Sequence, residues 1–179
     1  VGSRFSIPIP KGTAIGVDKY ATDNKGVVTG VKIDPKTGEM SFGWQIVLPP
    51  FNYDLGDAGK LVSDGWVFFT SYNAERATGK LEVTSAQRDR DYIAAVDWRA
   101  VEKAVAEGKA DTIDGVKVID PKKVPGLVYL LPCGKSPHGV DVSPDGRFII
   151  GSGKLQGVTV AFSFDKIQTA IKNKDVIVY

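Results

Sequence analysis

The sequence predicts an all-β fold, part of a β-propeller with about two to three blades and short helical insertions. One observation is the Ser-Pro-Asp-Gly turn at residues 143–146, which joins two short apolar runs and so predicts an antiparallel hairpin. A second is Pro-His-Gly directly before that hairpin, a combination typical of the start of a propeller blade. A third is the series of short apolar runs between glycine- and aspartate-rich turns. The residue before an inner strand points at the propeller axis, so His138 is expected there.

Short strands are predicted along most of the chain, because apolar runs alternate with turn residues. They are expected at residues 12–20, 27–33, 41–48, 65–72, 91–98, 115–119, 127–131, 139–142, 147–150 and 157–164. Two helices are also predicted, one at 99–107 with Gly108 as its stop and one at 166–174 with Asp165 as its cap.

Two long segments lack strand-like patterning. Residues 49–64 open with Pro49 and Pro50, which cannot donate to a ladder, and the segment is predicted to be a loop. Residues 73–90 show little apolar periodicity, and connections of that length are usually functional or disordered.

The composition excludes several classes of protein. The 23 basic and 21 acidic residues give a net charge of +2 and are scattered, which argues against a nucleic-acid groove or a polybasic membrane patch. No apolar run approaches the roughly 20 residues needed to span a bilayer. The single cysteine, Cys133, excludes an internal disulfide framework. The loop-like start and the β-rich end at 175–179 predict a piece of a longer protein.

His138 is the one histidine of the chain and the first candidate for chemistry. A lone histidine near an apolar run is usually structural, although histidine is also the commonest metal ligand. A metal site needs several ligands at once, and the chain has no second histidine. If His138 binds a metal, its partner ligands lie outside these residues.

Oxygen-bearing side chains bracket the 73–90 segment and form the second candidate site. They are Tyr72, Asn73, Glu75, Asp89 and Asp91. Oxygen ligands spread over a loop and a strand end suit Ca²⁺, which takes six to eight of them. The alternative is a solvated acidic loop with neighbouring arginines, because charged side chains are mostly exposed.

Two further residues have simpler interpretations. Lys154 follows a glycine-rich turn. It is either a solvent-exposed lysine at the end of that turn or a positive charge directed into a functional site. Cys133, between proline and glycine, is predicted to be a buried, inert thiol. No Ser-His-Asp order, CxxC pair or phosphate loop is present.

Four segments in combination resemble nitrous-oxide reductase, over residues 16–174. They are WQIVLPPFNYDLGDAG, GWVFFTSYNAE, RDRDYIAAVDW with its following helix, and SPHGVDVSPDGRFIIGSGKL. The PPFNYDL and DRDYIAAV segments are most similar to the branch exported by the general secretory route, often called clade II.

The resemblance implies an enzyme of denitrification. Its N-terminal domain is a seven-bladed propeller whose hub holds a sulfide-bridged four-copper cluster bound by seven histidines. A C-terminal cupredoxin domain carries a dicopper electron-entry centre. This copper-dependent oxidoreductase reduces N₂O to N₂ and water in the periplasm, as a homodimer that receives electrons from a c-type cytochrome or a similar donor. Residues 1–179 would be the middle of the propeller, without the cupredoxin domain, and inactive alone.

The resemblance also assigns roles to residues. His138 falls on a copper-cluster ligand and would therefore be catalytic. The tyrosine and glutamate of SYNAE fall on calcium ligands, and the acidic residue that opens the next strand is another. Asp141 stands where the family often has an asparagine that is a further possible ligand. The calcium candidates are Tyr72, Glu75, Asp89, Asp91 and Asp141.

Two other functions compete with this one. Propellers with Ser-Pro-Asp-Gly turns also serve as non-catalytic binding modules of the cell surface or periplasm. A third class is a propeller lactonase or similar hydrolase with acidic metal ligands at its hub. The copper content of the full-length protein would distinguish a nitrous-oxide reductase from both a binding module and a hydrolase.

Overall fold

A computed structural model describes residues 2–3, 26–49, 52–73 and 91–179. Its strands are β1 (Gly2–Ser3), β2 (Val27–Ile33), β3 (Met40–Val47), β4 (Asn52–Ala58), β5 (Trp66–Asn73), β6 (Asp91–Asp97), β7 (Asp111–Ile113), β8 (Val116–Ile119), β9 (Val128–Cys133), β10 (Pro137–Val142), β11 (Phe148–Gly153), β12 (Val158–Ser163) and β13 (Ile177–Val178). The helices are α1 (Trp98–Ala106) and α2 (Phe164–Asn173), with a 3₁₀ turn at Leu61–Ser63. The predicted strand at 12–20 and most of the 73–90 connection lie outside the described residues.

The described strands form three sheets, which confirms the predicted all-β partial propeller. The first sheet has the order β1-β2-β3-β8-β7, the middle sheet β4-β5-β6-β9-β13, and the third sheet β10-β11-β12. In the middle sheet, β4, β5, β6 and β9 pair antiparallel in chain order, which is the four-stranded meander of a blade. The third sheet begins the same meander.

The middle sheet is buried on both faces, because its residues alternate between two apolar clusters. Phe69 on β5 belongs to a cluster with Val28 and Ile46 of the first sheet. The preceding residue, Phe68, belongs to a cluster with Ile149 of the third sheet and Ile167 of α2. Complete burial of a side chain such as Phe68 stabilises the fold by about 1.5–3 kcal/mol. The three sheets therefore stack face to face, as consecutive blades do.

A repeated connection ties each blade to the one before it. After β6 the chain forms α1 and then the β7-β8 hairpin, in which β8 pairs in parallel with β3 of the first sheet. After β12 it forms α2 and then β13, which pairs with β9 of the middle sheet. Asp97 starts α1 by accepting a hydrogen bond from the Ala100 amide at 2.9 Å. Each connection thus covers an edge that would otherwise be open.

The prediction of a loop over 49–64 is wrong, because this segment contains β4 and the 3₁₀ turn. Strand β4 has register shifts on both sides of Tyr53, so its backbone does not keep the regular pairing on which the two-residue alternation of a strand depends. Its glycine also has a packing role: a Cβ at Gly56 would lie 2.4 Å from Cδ1 of Phe69. The sequence therefore carries turn residues where the fold needs a bulged edge strand.

Smaller differences concern one helix start and one strand. Helix α2 begins at Phe164 with Ser163 at its N-cap position, so Asp165 lies in the first turn and is not the cap. A carboxylate there still stabilises the helix through its dipole. Strand β7 was not predicted, because it is only three residues long and is mostly exposed.

Candidate functional site

The candidate site lies where β10, the edge of the third sheet, contacts β4 and β5 of the middle sheet. His138 is the second residue of β10, and its side chain is exposed. The register shifts between Pro137 and Val140, so His138 and Gly139 together face Ser152 of β11. His138 therefore sits in a β-bulge, a feature that often redirects a side chain beside an active site.

A buried turn fixes the backbone just before His138. Ser136 has a φ of 52°, which is uncommon for a residue with a side chain, and it is 1% exposed. Its amide donates to Oδ2 of Asp91 at 2.7 Å, and its carbonyl accepts from the Lys154 amide at 3.1 Å. The start of β10 is thus held by a carboxylate from the middle sheet and by the turn after β11.

A buried hydroxyl holds the next part of the strand. Thr70 of β5 is fully buried, and its Oγ1 lies 3.1 Å from the His138 carbonyl and 3.2 Å from the Leu55 carbonyl. Sequence reasoning missed Thr70, because a threonine inside an apolar strand carries no signal of its own.

A charged pair holds the far end of β10. One carboxylate oxygen of Asp57 accepts from the Val142 amide at 2.9 Å and from Lys60 Nζ at 2.6 Å. Lys60 Nζ also donates to the Val142 carbonyl at 2.7 Å. Burial raises the pKa of Asp57, but the bonds from Lys60 and Val142 outweigh it, so the pKa lies below its ordinary value. We call Asp57, Lys60 and Val142 the β10 clamp.

The turn after β10 packs against the clamp. A Cβ at Gly146 would lie 1.7 Å from the Lys60 carbonyl, and the residue has a φ of 73°. The glycine of the Ser-Pro-Asp-Gly turn is thus required by both its conformation and its contact.

The structure describes the predicted calcium candidates only in part. Asp91 opens β6 and is 2% exposed, whereas Asp141 on β10 is exposed. Tyr72 lies in β5 by its backbone. Its side chain lies outside the description, as do Glu75 and Asp89. Across residues 26–49, 52–73 and 91–179, histidine, cysteine, aspartate and glutamate side chains form no group of three or more that could hold a metal ion.

The remaining predictions concern one thiol and one lysine. Cys133 is 4% exposed, and burial raises the pKa of its thiol, as expected for an inert cysteine. Lys154 has an exposed side chain, while its backbone amide closes the turn at Ser136. Neither helix among the described residues has the length and hydrophobicity of a membrane-spanning segment.

Comparison with known proteins shows that the chain is similar to nitrous-oxide reductases. The chain is 30% identical to nitrous-oxide reductase of Pseudomonas fluorescens over 152 residues, which is 79% of this chain and 22% of the relative. It is 32% identical to nitrous-oxide reductase of Stutzerimonas stutzeri over 158 residues, covering 82% and 24%. For the enzyme of Cupriavidus necator the identity is 27%, covering 93% and 25%. The chain thus spans about a quarter of the length of these relatives, and no protein-family model matches it.

Proposed function

Since this chain is a segment of a nitrous-oxide reductase, we propose that it is the middle of the enzyme's N-terminal propeller and that His138 is a ligand of a four-copper sulfide cluster. The full-length enzyme would reduce N₂O to N₂ and water. The observation that carries this proposal is an exposed imidazole at the bulged start of β10, on a backbone held by buried groups.

The donor chemistry of His138 fits copper, because imidazole nitrogen is a good copper ligand. One imidazole cannot hold a cluster, and the described residues offer no group of three metal-binding side chains. The other ligands would come from other blades of the full-length enzyme. Cys133 is not proposed as a ligand, since its thiol is buried and its pKa is raised by burial.

The copper cluster, when bound, supplies the electrons that break the N–O bond. The residues of this chain would contribute orientation. The bond from Ser136 to Asp91 and the contact of Thr70 with the His138 carbonyl hold the backbone, so the imidazole is presented from a preorganised strand. N₂O is small and nearly apolar, so recognition would depend mainly on access to the cluster.

We also propose a calcium site near the end of β5 and the start of β6. The ligands would be drawn from Tyr72, Glu75, Asp89, Asp91 and Asp141. Asp91 supports this proposal best, because a buried carboxylate costs free energy unless other charges or donors compensate it. A cation there would add to the compensation that the Ser136 amide gives. Asp141, in contrast to Asp91, is exposed.

The family also guides our proposal for the setting of the enzyme. We propose a periplasmic homodimer that works in denitrification, with a c-type cytochrome or a similar protein as electron donor. A dicopper centre in a cupredoxin domain outside these 179 residues would receive the electrons.

The test is His138→Ala in the full-length enzyme, with copper counted per chain and N₂O consumption measured with a reduced dye. We expect a loss of copper and of turnover with the fold retained, because the side chain is exposed and its removal leaves no core cavity. Thr159→Ala, at an exposed position of β12, is the control. Full copper with normal turnover in His138→Ala would make His138 an ordinary surface histidine.

A further inference from the structure

Strands β4 and β10, edge strands of the middle and third sheets, lie in contact, and each carries a bulge. On β4, Tyr53 faces Ser71 and Gly56 faces Phe69, so two residues, 54 and 55, oppose Thr70. On β10, His138 and Gly139 together oppose Ser152. At a bulge the ladder is locally disrupted, so the extra residues are not fixed by strand pairing alone.

One side chain joins the two bulges. Thr70 Oγ1 contacts the carbonyl of Leu55 in the first bulge at 3.2 Å and the carbonyl of His138 in the second at 3.1 Å. A hydroxyl has a single hydrogen, so these two carbonyls share one donor. Thr70 is fully buried, which strengthens the bond and removes water as a competing donor.

We propose that Thr70 is a positioning residue that sets the place of His138, an inference that rests on the proposed copper-ligand role of His138. At the bulge, the hydrogen bond from the Thr70 hydroxyl restrains the backbone of β10 where the strand ladder is disrupted. It acts through the backbone carbonyl of the residue that carries the imidazole, so it fixes where the side chain begins. Thr70 itself does not touch the copper cluster in this proposal.

Three variants of the full-length enzyme separate the hydroxyl from the fold. Thr70→Val removes the hydroxyl and keeps the shape, whereas Thr70→Ser keeps the hydroxyl and removes a methyl group. Ser71→Ala is the matched control: Ser71 is equally buried on the same strand, but its hydroxyl accepts from the Tyr92 amide within the middle sheet.

The first readout needs no copper. In the copper-free enzyme, hydrogen exchange of the peptide that contains residues 137–142 should be faster in Thr70→Val than in Thr70→Ser or Ser71→Ala. The second readout is the retention of copper against a graded copper chelator. Groups that orient a metal ligand typically change affinity about 10- to 100-fold, so we expect a shift of about ten-fold for Thr70→Val, with a changed copper spectrum.

Each outcome has a distinct meaning. Faster exchange and weaker copper retention in Thr70→Val, with Thr70→Ser close to wild type, supports the proposal. Unchanged exchange and retention in Thr70→Val overturns it, as do equal losses in Thr70→Val and Ser71→Ala, which would indicate only a general loss of stability. His138→Ala distinguishes failure of the ligand role of His138 from failure of the positioning role of Thr70. Full copper in His138→Ala refutes the ligand role. Copper loss in His138→Ala, together with normal behaviour of Thr70→Val, refutes only the positioning role.

Discussion

The β10 clamp gives a prediction whose size can be worked out from its geometry. Asp57→Ala removes the acceptor of the Val142 amide and of Lys60 Nζ. The ion pair itself contributes little, because Lys60 and Asp57 are 42% and 27% exposed. A hydrogen bond to a charged group contributes about 1.5–3 kcal/mol, and partial exposure favours the lower end, about 1.5–2 kcal/mol. At 1.4 kcal/mol for each factor of ten, β10 should open about 10- to 30-fold more often.

The assay is hydrogen exchange of the peptide that contains Val142 in the full-length enzyme. Asp64→Ala is the control, because Asp64 pairs with Arg99 of α1 at a site where both side chains are more than half exposed. We expect less than a three-fold effect from that control. Equal exchange of Val142 in wild type and Asp57→Ala would refute the reasoning that the clamp holds the strand.

The clamp should also fail in acid but not near neutral pH. The pKa of Asp57 in the fold lies below its ordinary value of 3.8, so its contribution is complete above that value. It is lost as the pH falls through the lowered pKa. Protection of the Val142 amide attributable to Asp57 should therefore be constant from neutral pH down to about pH 4 and decrease only below it. A decrease between pH 7 and pH 5 would contradict this assignment.

Two further predictions concern packing and calcium. Gly56→Ala places a Cβ against the Phe69 ring and should cost about 1–3 kcal/mol of propeller stability. Gly157→Ala, which meets nothing within 4 Å, should be nearly neutral in the same thermal unfolding measurement. Calcium should protect the connection at 73–90 from protease in the full-length enzyme, because an ion that binds only the folded form stabilises it. Equal nicking with and without a calcium chelator would argue against the site.

Sequence patterns predict an element well where its bounds are set by residues close to it in sequence. The strand predicted at 27–33 is β2 with the same bounds, because it is followed by a turn in which Oδ1 of Asp34 accepts from the Lys36 and Thr37 amides. The expected position of His138 at the start of a strand is also local, since Pro-His-Gly and the following turn are contiguous, and His138 lies in β10. The helix predicted at 99–107 is α1, displaced by one residue.

The groups that hold His138 could not be found in this way, because their partners are distant in sequence. Thr70 binds a carbonyl 68 residues away, and Asp57 binds an amide 85 residues away. Both contacts depend on how one blade packs against the next. Strand β4 was missed for a related reason, since its bulge removes the alternation that identifies a strand. Neither feature has a signature within a short window of sequence.

Chemical rescue of His138→Gly in the full-length enzyme tests the copper-ligand role of His138 most directly. Glycine removes the imidazole while β10 remains held by Asp91, Thr70 and the clamp. We expect the variant to fold, to lose copper and N₂O turnover, and to recover part of both when free imidazole is added. Retention of full copper and turnover without imidazole would show that His138 is not a ligand. Failure of imidazole to restore any copper to the folded variant would equally contradict the account.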